Sequence, residues 1–591
     1  MYPRIGIRPV IDGRRFGVRE SLEKQTMDMA LAAKQLIEGN CRYPDSNPVE
    51  CVIAPCTIGS GKEAAVTEEF FSDKNVIATL SVTPCWGSVN ETIDLNPITI
   101  KAVWGFNGTE RPSAVYLSAA MSAHAHRGLP AFSIYGHDVK DADDTEIPED
   151  VAVKILRFAR CAVAVGWIRA KAYVSIGSSA NGITGTYCDA AFLHDYLGLR
   201  PEWVDMTEIL RRMHLEIYDH DEYRRALDWT VRNCPVGMNI NTEKINPGNP
   251  KLMSLDDQWE FCVKMTLIVR DIMLGNEKLS DIGREEEAEG RNAVMGGFCG
   301  GRTWTDWLPN GDFCESILST SFDWNGRKQP IAFATDNDSL NGTSMLFGSL
   351  ISGTASVFAN LRTYWSPDAY EKAVGSKPEG RAADGFIHLI NSGAAALDGT
   401  GMAKDNKGIG MMKKWWEVTE RDMADILGET DWCPANLGYF RGGGFSSHFR
   451  TEAEMPVTMI KVNIIDGLGP AIQIAEGYTV VFSENIHCVL DDRTDKTWPT
   501  TWFVPRLMPE KTAFRDVYSV MSCWGSDHAA FTYGHIGSDI ITLASMLRIP
   551  VSMHNISDED IYRPHCWSAF GTSDLEDADY RACSCYGPRY K

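Results

Sequence analysis

The stretch Pro148–Gly177, "PEDVAVKILRFARCAVAVGWIRAKAYVSIG", decides how the chain divides. Proline and two acids stand where a helix begins, and the apolar run behind them predicts a helix over 148–167. "KAYVSIG", from Lys171 to Gly177, then reads as a new strand. A helix handing over to a strand at about residue 170 closes one α/β unit and opens another.

Upstream of that junction the chain alternates. "PRIGIRPVI" reads as a strand. Val18, Leu22, Met29, Ala33 and Leu36 recur at helical spacing and predict a helix over 18–37. "VECVIAP" and "NVIATLSVTP" are β-branched runs closed by proline, "RPSAVYLSAAMSAHA" is a helix and "PAFSIYG" a strand. Such alternation predicts a parallel sheet covered on both faces. Downstream, "RPEWVDM", the helices "TEILRRMHLEIYD" and "LDDQWEFCVKMTLIVRDIML", and the strand "PIAFATDND" form the second unit. "NCPVGMNINTEKINPGNPK" reads as a surface loop. Beyond Ser352 the runs are short, alternating and punctuated by glycine, as in "FIHLINSG", "VTMIKVNIIDG" and "AIQIAEGYTVVF". That texture predicts an antiparallel sheet or barrel. The expected domains are residues 1–170, 171–351 and 352–591.

A chain of 591 residues with 44% hydrophobic residues can fill several cores without disulfides. The formal net charge of −22 repels phosphate backbones and argues against nucleic-acid binding. The 16 cysteines are scattered, with no C-x-x-C pair, and most sit in apolar runs as small hydrophobes. A reducing compartment is expected, with no zinc–thiolate site. No apolar run reaches membrane-spanning length and the first residues lack a signal-peptide core, so a cytoplasmic protein is expected.

Several stretches carry chemistry. Asp336 follows the strand "IAFA", and in open α/β sheets ligands gather beyond the carboxyl ends of strands. A solvated turn is the plainer reading there. "CWGSDHAAFTYGHIGSD" offers Asp527, His528 and His535; imidazole with carboxylate oxygen suits Mn²⁺, Mg²⁺, Fe²⁺ or Co²⁺. The glycine run of "YFRGGGFSSHF" lets backbone approach a ligand, or is a tight turn; it is not a phosphate loop. Tryptophans beside Pro or Thr, in "TPCWGS" and "TWPTTWF", offer flat faces to a sugar if they are not core. Arg8, Arg14, Arg15 and Arg19 surround Gly13 as an anion-binding turn or a subunit contact.

The sequence resembles the L-fucose isomerase family from end to end. The likeness rests on "IGIRPVIDGRR", "WGFNGTERP", "IYGHDV", "SFDWNG", "NDSLNG", "RTYWSP", "YFRGGG", "WPTTWF" and "ITLASMLRIPV", among others. It implies two Rossmann-like parallel-sheet domains followed by a mainly antiparallel β domain. It implies a hexamer in which a neighbour's first domain closes each site, a small-molecule sugar substrate, and a divalent metal, usually Mn²⁺. It further implies interconversion of L-fucose with L-fuculose, or D-arabinose with D-ribulose, through an ene-diol.

Carried over position by position, the resemblance puts the metal ligands at Asp336, Asn360 and His528. It puts sugar-binding positions at Arg15, Trp86, Asn181, Cys299, Ser392, Tyr439 and Trp498. The chain departs from the pattern here: Asp336 stands for the family's Glu, and Asn360 for its Asp. "CWGSVNE", "ANG" and "FCGGR" also differ, and Asp527 stands where the family has Asn. Differences gathered at the pocket imply a remodelled site. A charge lost at Asn360 and gained at Asp527 points to Asp527 as a replacement ligand or base, which makes Asp336, Asn360 and Asp527 the catalytic positions. Three functions follow as expectations: a metal-dependent aldose–ketose isomerase, a weak or inactive hexameric paralogue that binds a sugar, and a glycosidase using two carboxylates.

Overall fold

The computed structural model describes every residue except 1, 142, 143, 145, 179–181, 188 and 243–251. The first parallel sheet has five strands in the spatial order Cys51–Ile53, Arg4–Pro9, Val76–Thr83, Ile100–Gly105, Ala131–Tyr135. Every pairing in it is parallel. Its central strands are buried almost throughout, as β-branched runs between two helical layers should be. The second sheet is also parallel, ordered Ala332–Ala334, Ala293–Phe298, Ala172–Ile176, Arg200–Val204.

The third sheet has seven strands, ordered Pro456–Ile465, His528–Tyr533, Ser356–Trp365, Phe386–Ile390, Thr500–Pro505, Gly469–Val480, Val551–Met553. Pro456–Ile465 pairs back onto Gly469–Val480, which closes the sheet into a barrel. Closure removes the exposed edges that an open antiparallel sheet would present. Only the added strand Val551–Met553 runs parallel to its neighbour.

Two helices tie the layers together. Glu149–Ile168 is buried on most sides and packs against Gly537–Leu547, so the first sheet and the barrel share one apolar core. Ser339–Ser352 is nearly all buried and lies between the second sheet and the barrel. That second helix starts two residues after Asn337, which places its N-terminus beside the turn that carries Asp336.

Two predicted helices differ at their ends. The first begins at Glu23, not Val18, and runs to Asn40. Phe16 and Gly17 are left-handed (φ 64° and 102°), which delays the helix. Val18 instead packs on Ile11, Leu22 and Cys85. The helix that starts at Thr207 stops at His214 because Glu216 is left-handed (φ 55°). The predicted surface loop at 233–251 lies partly outside the described residues. The described cysteines are all free, and no helix among the described residues is long and apolar enough to cross a membrane.

Candidate active site

The strand Ala332–Ala334 ends in a turn, Thr335–Asn337, where Asp336 (φ 56°) and Asn337 (φ 52°) are both left-handed. Asp and Asn tolerate that conformation better than most residues. Asn337 is held on three sides. It accepts from the Tyr173 hydroxyl (2.5 Å) and donates to Ser175 Oγ (2.8 Å) and the Ser178 carbonyl (3.1 Å). A Cβ at Gly297 would come within 2.6 Å of Asn337 Oδ1, so the adjoining strand needs glycine there. The clamp on Asn337 turns the Asp336 side chain to the other side of the turn, into a cleft of about 450 Å³.

Asp338 caps the next helix, accepting from Asn341 N at 2.8 Å. Its other oxygen, Oδ2, accepts from Lys461 Nζ and from His528 Nδ1, each at 2.7 Å. All three side chains are essentially out of solvent. Burial alone would raise the Asp338 pKa; Lys461 and His528 outweigh it and hold the carboxyl below its usual range. The Asp336 carboxyl is raised, first by burial and then by the charges of Asp338 and Asp527, with His528 opposing.

The barrel supplies the opposite wall. Asn360 lies directly across from His528 in an antiparallel pairing. Asn360 Oδ1 is buried without a hydrogen-bond partner. Asp527, half exposed, places Oδ2 3.6 Å from His528 Nε2. A carboxylate, an unpartnered amide oxygen and an imidazole nitrogen form a hard donor set suited to a divalent cation. Among the described residues no three His, Cys, Asp or Glu side chains form a group that could hold a metal ion.

Of the positions expected from sequence, Asp336, Asn360, Ser392, Tyr439 and Trp498 line one cleft. Tyr439 and Trp498 stand at its mouth, rings 5.9 Å apart. Trp498 Nε1 and the Asn310 amide are buried there without hydrogen-bond partners. Cys299 is buried behind Gly300 and Gly301, which form the wall; burial raises its thiol pKa. Neither His528, across from Asn360 on the next strand, nor Asp527 is on the cleft wall. Arg15 and Trp86 are exposed on the first unit and are not on the cleft wall. Asn181 lies outside the described residues.

Residues not singled out in the sequence also face the cleft. Arg362 sits at a bulge between Leu361 and Thr363 on the strand of Asn360, lines the cleft, and stands 6.0 Å from the Trp498 ring. Asp312 and Glu315 sit on the helix Asp312–Ser319 and are buried. Burial pushes Glu315 up to about 8, with Asp336 adding to the shift; the Thr335 hydroxyl, which donates at 2.7 Å, opposes it. Burial likewise carries Asp312 well above the carboxylate range. The glycine run meets protein: a Cβ at Gly442 would strike the Leu308 backbone, and one at Gly444 would strike Asn310. It lets Gly438–Arg441 close against the cleft.

Residues 2–170 match the model described as the first N-terminal domain of L-fucose isomerase, 171–353 the second N-terminal domain, and 389–554 the C-terminal domain. A protein of Clostridium perfringens named L-fucose isomerase is 58% identical over 100% of this chain and 99% of its own length. One of Streptococcus pneumoniae serotype 4, with the same name, is 56% identical over the full length of both.

Proposed function

The chain belongs to the L-fucose isomerase family, and from that membership we propose a metal-dependent aldose–ketose isomerase with a remodelled site. The observation that carries the reading is the unpartnered Asn360 Oδ1 set opposite His528, in the cleft that Asp336 enters. Asp336, Asn360 and His528 would hold Mn²⁺ or another divalent cation. Asp338 engages Nδ1 and leaves Nε2 for that role. The ion, when bound, supplies electrostatic stabilisation of negative charge developing on the sugar's C1 and C2 oxygens.

The chain's own groups do the rest. Asp336 takes the proton from one carbon and returns it to the next, through an ene-diol. Asn360 is neutral and cannot carry a proton, so the hydroxyl proton falls to Asp527, the carboxylate nearest His528 Nε2. Tyr439 and Trp498 pack on the sugar's C–H face, and Ser392 and Asn310 read hydroxyls. Arg15 and Trp86 reach the site from a neighbouring copy's first unit, in a homo-oligomer, a hexamer by family likeness.

The test is ketose formation from L-fucose, D-arabinose, L-galactose and D-altrose, with Mn²⁺ and with EDTA. Turnover that EDTA abolishes supports the reading. Asn360 also favours a second one, a weak or inactive hexameric paralogue that binds a sugar; binding without turnover in the same panel selects it.

A further inference from the structure

Far from the cleft, three cations line a small crevice at the seam between the first sheet's unit and the C-terminal segment: Lys101, Arg548 and Arg589. No carboxylate lines it among the described residues. Every hydrogen bond given for the two guanidiniums goes to a backbone carbonyl. Arg548 donates to Tyr586 O (3.3 Å) and Pro588 O (3.5 Å). Arg589 donates to Ile98 O (2.5 Å) and Met546 O (3.4 Å), and its Nε is buried without a partner.

The charge imbalance extends inward. Lys101 is buried and spends its ammonium on Asn96 O, Thr99 O and Thr99 Oγ1, with Asp94 3.9 Å away. Arg8, fully buried, also looks to Asp94, and its Nε and Nη1 have no partners. One carboxylate therefore answers the interior pair. Arg548 and Arg589 face each other's charge, and burial together with that repulsion lowers the Arg548 pKa. In a chain of net charge −22, two partly buried guanidiniums side by side, each bonded to backbone carbonyls and with no carboxylate lining their crevice, mark a place for an anion.

The enclosed volume is about 20 Å³, which admits little more than one water-sized particle. We propose that the crevice holds a chloride ion, which accepts from the guanidiniums of Arg589 and Arg548 and fastens the C-terminal segment to the first unit. The site is separate from the isomerase cleft and does not depend on that reading.

Thermal unfolding of the full chain is compared in sodium chloride and in sodium gluconate at matched ionic strength, which cancels general screening. A saturable rise in Tm with chloride alone is expected. Arg589→Gln should move the half-effect concentration up by about tenfold or more, with ketose formation unchanged, and Arg548→Gln should do the same. If Arg548→Gln does not fold, Arg589→Gln decides. Crystals soaked in bromide should show an anomalous peak between the two guanidiniums. Equal melting in the two salts overturns the proposal. So does a bromide peak without a chloride effect, which means binding at crystal concentration only. Stabilisation by phosphate alone also overturns it and points to an oxyanion at the mouth.

Discussion

Asp338 and His528 are joined by a 2.7 Å hydrogen bond at Nδ1, and the oxygen that takes it also takes one from Lys461. A carboxylate held ionised by a buried lysine is an acceptor only. Nδ1 must therefore carry a hydrogen, and Nε2 is the nitrogen on the side of Asp527. Asp338→Asn keeps the shape and loses the charge. Lys461 is then buried unpaired, at a cost of about 3–5 kcal/mol, and the imidazole loses its preferred tautomer. Urea unfolding should show that loss, and a manganese titration should weaken by about 10–100-fold. Affinity unchanged in a folded variant would remove Asp338 from any part in ligand orientation.

Acid sensitivity follows from the same residue. The folded pKa of Asp338 lies below its unfolded value, so its contribution to stability is present above about 3.9 and is lost as the pH falls through the folded value. Unfolding followed between neutral pH and the acid range should show a steeper acid limb for the wild type than for Asp338→Asn. Parallel limbs would contradict the assignment.

The exchange of charge between Asn360 and Asp527 yields opposed outcomes. If Asp527 carries the second proton, Asp527→Asn should lower kcat by about 10²–10⁴-fold with little change in KM. Asn360→Asp should then partly restore turnover in the double variant. Asp527→Asn with metal content and turnover both intact would end the compensation argument and leave Asp527 as a solvated surface acid.

Much of this was legible in the chain. The restart at Lys171 marks the second parallel sheet because a strand run directly after a long apolar helix has few other meanings. Asp336 was legible because it ends a buried strand. The texture beyond Ser352 leaves open sheet and barrel both possible, since the pairing of Pro456–Ile465 with both His528–Tyr533 and Gly469–Val480 depends on register across the sheet. Asp338 is not legible in the sequence, because its partners, Lys461 and His528, are 123 and 190 residues away. Glu315 was missed because an acid in "DFCESIL" reads as a helix's solvent face, whereas here the whole helix is buried. Only tertiary packing decides that.

Gly297 should be intolerant of alanine. Its added Cβ would meet Asn337 Oδ1 at 2.6 Å and Asn337 Cα at 2.9 Å, and backbone cannot swing aside as a side-chain tip can. Overpacking of this kind costs about 1–3 kcal/mol. The strain falls on the residue that orients Asp336, so kcat should fall further than the Tm alone explains. Gly297→Ala with wild-type kcat would show that the Asn337 clamp does not set the Asp336 geometry.

Glu315 gives the opposite pH slope from Asp338. Its carboxyl titrates near 4.3 when unfolded and is pushed up to about 8 in the fold, so the folded state holds a proton the unfolded state has lost. Stability therefore falls as the pH rises from about 4.3 towards about 8, because proton binding favours the folded chain across that window. Glu315→Gln accepts the same Thr335 hydrogen bond without a titrating proton. In EDTA, its Tm should decline less than the wild type between pH 5 and 8, and should exceed it at the alkaline end. Asp312, raised by the same burial, keeps part of the slope in the variant, so Asp312→Asn combined with Glu315→Gln should flatten it further. Identical pH profiles for wild type and Glu315→Gln would mean that Glu315 is solvated and ionised in the fold, and that the cleft floor is wetter than its packing implies.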